Sequence, residues 1–261
     1  MEEHHSAAIE TFVSLYRPKE EFVALVLAGS LAHGFAQANS DVDILLVATP
    51  EEYEKRRLGG QLAFSLWDIC RYPGGYIDCK VVSLPTMETI AHKGSDPARY
   101  AWKDARILWS GHRELPEVLA RITRYPREKT DERRHRFACQ LLAWKWYLSQ
   151  AEEKNNPYLL HLSAQKVTLF SCRLILNAND QLYPYHKWLL EETRRSPRKP
   201  PEFLSLLDAF LARPSFPLAQ SIADSVLAFL GLTEKGLNWP GQFLDDSELN
   251  WVDHEAPVDD L

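Results

Sequence analysis

Apolar positions along this chain change their period near the middle. From His5 to Tyr16 they fall at Ala8, Ile9, Phe12, Val13 and Tyr16, the spacing of one face of a short helix. Arg17-Pro18 ends it, because a residue before proline is disfavoured in the α region. Phe22–Ala28 (FVALVLA) is a continuous apolar run closed by Gly29, the pattern of a strand covered on both faces. A second strand is predicted over Asp41–Val47 (DVDILLV), closed by Thr49-Pro50. A third is predicted over Tyr76–Ser83 (YIDCKVVS), after the turn signal Pro73-Gly74-Gly75. Gln61–Arg71 reads as either another strand or a short helix, and Arg106–Trp109 as a last short strand ending at Ser110-Gly111.

Beyond Gly111 glycine is absent until Gly231, and helix-period stretches follow one another between prolines. Phe137, Leu141, Leu142, Trp144 and Leu148 fall along one stripe. Leu159, Leu162, Val167, Leu169, Phe170 and Leu174 form a second, and further helices are predicted at Pro201–Leu211 and Leu218–Leu230. Trp144 and Trp146 cannot share a helical face, so at most one belongs to the core. The chain therefore reads as α+β: a short mixed sheet domain over residues 1–112, an all-α bundle over 113–244, and a solvated acidic tail over 245–261. That tail carries Asp245, Asp246, Glu248, Asp253, Glu255, Asp259 and Asp260.

Composition narrows the function. The 261 residues are 45% hydrophobic, enough for two modest cores, and the formal net charge is −6. That balance gives no support for polyanion binding beyond a local patch, for which Arg194–Lys199 (RRSPRK) is the candidate; a solvated loop is its plainer reading. The four cysteines (Cys70, Cys79, Cys139, Cys172) have neither CxxC pairing nor zinc-ligand spacing. With no secretory signal and no apolar run near the roughly 20 residues that span a bilayer, a cytoplasmic protein with reduced thiols is expected.

Three features of the first half carry chemistry. Gly29-Ser30 directly follows the buried strand, where glycine lets backbone approach a phosphate and the serine hydroxyl adds a donor; an ordinary turn has the same look. Asp41-Val42-Asp43 opens a strand, and alternation puts both carboxylates on one face. Two acids leading into Ile44-Leu45-Leu46-Val47 are costly to bury without a cation, and Mg²⁺ prefers a few carboxylate oxygens plus phosphates and water. Asp78 lies inside a third apolar strand, with Lys80 on the same face as an available structural partner.

The order Gly29, Ser30, Asp41, Asp43, Asp78, with Ser40 before the acid pair, resembles the DNA polymerase β-like nucleotidyltransferase superfamily over residues 20–110. The two-domain layout is similar to that of kanamycin and related antibiotic nucleotidyltransferases. The resemblance implies a triphosphate at Gly29-Ser30 and one or two Mg²⁺ at Asp41 and Asp43, with Asp78 either a metal ligand or the general base. It also implies transfer of an NMP, with ATP as the expected donor, to a hydroxyl of a small molecule such as an aminoglycoside. A toxin-like enzyme acting on tRNA or protein, and a non-catalytic nucleotide-binding regulator, are the alternatives. Monomers and homodimers both occur among such relatives.

In the second half, Leu182–Leu189 (LYPYHKWL) packs aromatic and basic residues around one proline. His186 and Lys187 are candidates for reaching the nucleotide or acceptor, against an interhelical corner whose aromatics fill the core. His33, near the phosphate turn, reads as a bystander, and Asp104 as the partner of a local base. Gln165, Lys166 and Arg173 are weaker candidates on helices.

Overall fold

The computed structural model describes residues 1–252 and 255, which form two compact units, Met1–Arg124 and Tyr125–Leu261. The expected tail residues Asp253, Asp259 and Asp260 lie outside the described residues.

The first unit runs α1 (Glu3–Tyr16), β1 (Phe22–Leu27), α2 (Gly29–His33), β2 (Val42–Ala48), α3 (Pro50–Leu58), β3 (Ala63–Leu66), β4 (Ile77–Ser83), α4 (Leu84–Lys93), α5 (Asp96–Tyr100), β5 (Arg106–Ser110) and α6 (Leu115–Thr123). The five strands form one mixed sheet in the order β3-β4-β2-β1-β5. β2 and β4 are parallel, and the other three pairings are antiparallel. The ambiguous stretch 61–71 thus contains a strand, four residues long and at the sheet edge.

Alternation sorts the sheet into two faces. Ile44 and Leu46 of β2 with Ile77, Cys79 and Val81 of β4 pack under α1, whose Phe12 is fully buried. Leu45 and Val47 turn the other way, onto Met87 of α4 and Leu115, Val118 and Ile122 of α6. The sheet unit thereby extends past the expected boundary at residue 112, since α6 buries its apolar stripe on the sheet. The buried Arg99 ties α4 to α6 by donating to the carbonyls of Ala91 (2.9 Å) and Ile122 (3.1 Å). Helix starts follow local capping chemistry: Thr49 accepts from the Glu52 amide and Ser83 from the Thr86 amide, each followed within two residues by proline.

The second unit contains α7 (Thr130–Glu153), α8 (Pro157–Ala178), α9 (Leu189–Arg195), α10 (Phe203–Ala212), α11 (Phe216–Phe229) and α12 (Trp239–Phe243). α7 and α8 form its centre, with Phe203, Phe210, Ile222 and Val226 closing the core. Of the two tryptophans, Trp144 packs against this core and Trp146 is exposed. Residues 244–248, expected in a solvated tail, instead make a helical turn against α7. There Asp246, with only 10% of its side chain exposed, pairs with Arg136 at 2.8 Å, and Ser247 accepts from Gln140 at 3.0 Å. Among the described residues no helix is long and apolar enough to cross a membrane.

Candidate functional site

The acids assemble because of strand register. β2 and β4 pair in parallel with Asp43 opposite Asp78, so the two carboxylates are neighbours across the ladder. Both have the parity of Leu45 and Val47 and lie on the α4/α6 face, at the end those helices leave open. Asp78 pairs with Lys80 Nζ at 3.5 Å, the local partner allowed by the sequence. Tyr76, two residues before Asp78, shares its face. The Asp41 carboxylate at its phenol, then burial and the charges of Asp78 and Asp43, push its pKa up to about 12. All three predicted acids are therefore felt at one phenol oxygen. Tyr76 was legible by period-2 alternation from Asp78, yet the sequence reading passed over it.

Gly29 closes the other side. Its backbone is in the left-handed region (φ +63°), and a Cβ built there would fall inside the Asp43 carboxylate. The Ala28 amide donates to the Asp43 carbonyl at 3.0 Å, joining the end of β1 to the acid strand. Beside Gly29, the Ser30 hydroxyl is buried and has no hydrogen-bond partner among the described residues. A buried unpaired hydroxyl costs about 1–3 kcal/mol, so it is the atom in this turn most in need of a ligand.

The loop that delivers Asp41 is held from behind. His4 Nε2 donates to the Ala38 carbonyl (2.8 Å), Tyr72 donates to the Ser40 carbonyl (2.9 Å), and Ser40 Oγ accepts from the Gln37 amide (2.9 Å). His5 is fully buried edge-on to Tyr72 and accepts the Glu2 amide at Nδ1 (3.1 Å). Burial, then the charge of His4, lowers the His5 pKa below its ordinary 6.5, against opposing contributions from the Ser40 backbone and Glu2. Below 6.5 the unfolded chain takes up a proton that the folded chain refuses, so the stabilisation present above that pH is lost as pH falls. The urea midpoint is expected to drop as pH falls below 6.5, and to drop less in His5→Gln. Identical pH profiles for the two proteins would refute this.

Other candidates make contacts close to their own positions in the fold. His33 Nδ1 lies 3.3 Å from Asp104 Oδ2, so the partner of Asp104 comes from beside the Gly29-Ser30 turn rather than from its own stretch of chain, and Asp104 has a left-handed backbone (φ +59°). In the second unit, Tyr183 is buried and its hydroxyl lies 3.2 Å from His186 Nδ1, while Lys187 Nζ lies over the Trp188 ring at 5.1 Å. Arg173 packs on the rings of Phe137 and Tyr183. Arg194 and Arg195 of the basic cluster pair with Asp208 and Glu191.

Among the described residues no group of three or more His, Cys, Asp or Glu side chains is placed to hold a metal ion, so Asp41, Asp43 and Asp78 do not make the three-ligand set expected. Asp41 and Asp43 suit the other arrangement, in which a hard divalent ion takes one or two carboxylates and completes its shell with phosphate and water. Such an ion would come with a phosphate ligand, for which Ser30 Oγ is the neighbouring donor.

No protein-family model and no curated protein matches the sequence. Among solved structures, a nucleotidyltransferase-like protein from Exiguobacterium sibiricum 255-15 is similar at 14% identity and a TM-score of 0.46, over 95% of this chain and 78% of that one.

Proposed function

We propose that the protein is a nucleotidyltransferase that moves an NMP, with ATP as the donor, to a hydroxyl of a small acceptor. The observation that carries the reading is the buried Ser30 hydroxyl, without a partner among the described residues, next to a glycine whose bare Cα faces the Asp43 carboxylate. An ordinary turn needs neither feature, whereas a phosphate at Gly29-Ser30 uses both.

In this reading Ser30 Oγ donates to the triphosphate. Asp41 and Asp43 would hold Mg²⁺, which when bound would supply positive charge to the phosphates and the departing pyrophosphate. The acceptor oxygen bonds to the α-phosphorus, the bond from that phosphorus to the bridging oxygen breaks, and pyrophosphate leaves. The acceptor proton passes to the Asp78 carboxylate, which neighbours Asp43 on the side away from Gly29. The Tyr76 phenol, whose pKa Asp41 raises, stays protonated beside that carboxylate.

The test is incubation with Mg²⁺, each of the four NTPs in turn and a panel of small amine-bearing and neutral alcohols, with tRNA and the protein itself as further acceptors. Pyrophosphate release and one added NMP on a small acceptor, seen by mass spectrometry, are expected. NMP found only on tRNA or protein would replace the acceptor class. NTP binding with no transfer to any acceptor would replace the enzyme with a nucleotide-binding regulator.

A further inference from the structure

Trp67 directly follows the edge strand β3 and is 64% exposed, but it is not loose: its ring stacks on Tyr76 at 4.5 Å between centroids and 24° between planes. The β3–β4 register explains the pairing. Ser65 lies opposite Asp78 and Leu66 opposite Ile77, so the next step of the antiparallel ladder sets Trp67 against Tyr76 on the face that carries the acids. The tyrosine that Trp67 covers is the one whose phenol feels Asp41, Asp43 and Asp78. An indole held flat at the sheet edge, with most of its surface turned to water, forgoes burial it would otherwise gain.

Sheet order gives that surface a side. Gly29-Ser30 follows β1, the acids lie on β2 and β4, and Trp67 extends β3. The proposed phosphate turn and the indole are therefore on opposite flanks of the Asp43–Asp78 pair. A group resting on Trp67 approaches from the side away from the pyrophosphate, as in-line displacement demands of the attacking alcohol. The surroundings select its charge. Asp41, Asp43 and Asp78 are close enough to act on Tyr76, Asp68 is exposed beside Trp67, and Lys80 is engaged with Asp78. An aromatic face bordered by carboxylates attracts cations and the C–H face of sugar-like rings, and it repels phosphates.

We propose that Trp67, backed by Tyr76, is the acceptor platform and takes the face of an amine-bearing ring alcohol. The word acceptor rests on the nucleotidyl-transfer reading; the binding surface does not. Saturation-transfer NMR on the full chain, without nucleotide, uses glucosamine, glucose and glucose 6-phosphate as cationic, neutral and anionic forms of one ring. Glucosamine protons are expected to receive the largest transfer and glucose 6-phosphate none. Trp67→Ala should lose most of the glucosamine signal and Trp67→Phe should keep it. In turnover with an amine-bearing acceptor, Trp67→Ala should raise the acceptor KM roughly tenfold and leave the NTP KM unchanged. Undiminished transfer in Trp67→Ala, a preference for glucose 6-phosphate, or a rise in the NTP KM instead overturns the platform. Loss of ring binding in a chain that never transfers a nucleotide would keep the platform and remove the enzymatic reading.

Discussion

Asp43→Ala is expected to lower nucleotidyl transfer roughly 10³-fold or more, while the unfolding free energy stays within about 1 kcal/mol of the original protein. The asymmetry follows from position. Asp43 is at the open end of its sheet face, ahead of the apolar positions Leu45 and Val47, so its loss leaves no hole in either core cluster. What is lost is a carboxylate facing Gly29, in register with Asp78 and acting on the same phenol as Asp41. Pyrophosphate release checks the first half and equilibrium unfolding the second. Turnover within tenfold of the original would remove Asp43 from the reaction.

Gly29→Ala is expected to cost roughly 10²-fold in turnover and to destabilise the first unit, although it adds one methyl group. The left-handed backbone at φ +63° costs a side-chain-bearing residue about 1–2 kcal/mol, and the new methyl would claim the space of the Asp43 carboxylate. Displacing a reacting group by an ångström is enough for a loss of that size. Gly34→Ala separates the two causes: Gly34 has φ +74° with nothing within 4 Å of an added Cβ, so it bears the backbone cost without the collision. A smaller stability loss at Gly34 than at Gly29, and an activity loss only at Gly29, are expected. Equal activities in the two variants would contradict a close approach of functional consequence at residue 29.

The parts of this unit that were legible in the sequence have a common physical basis. β1 and β2 are continuous apolar runs because helices cover both faces of their middle portions, whereas β4 alternates about an exposed Lys80; Asp43 and Asp78 stand out as acids within these strands. β3 was ambiguous because an edge strand of four half-exposed residues carries too few buried positions to show a period. α6 was assigned to the helical half because its stripe of Leu115, Val118 and Ile122 has the spacing of any amphipathic helix; only the fold reveals that its partner is the sheet. The tail boundary failed likewise, since Asp246 looks solvated until Arg136, 110 positions earlier, meets it. Trp67 had no local signal at all: its position depends on the pairing of β3 with β4. In the second unit the segment around Pro184 combines a buried Tyr183 with an exposed Tyr185 in left-handed backbone (φ +64°), a conformation that composition does not announce.

The parallel ladder between β2 and β4 ties correct folding to function more tightly than a site built on loops would. Sliding β4 by one position would send Asp78 and Lys80 into the greasy layer beneath α1 and expel Ile77, Cys79 and Val81 into water. Sorting oil from water therefore sets the acids side by side with no separate instruction, and a chain that has completed this sheet has already built the centre of its proposed catalytic apparatus.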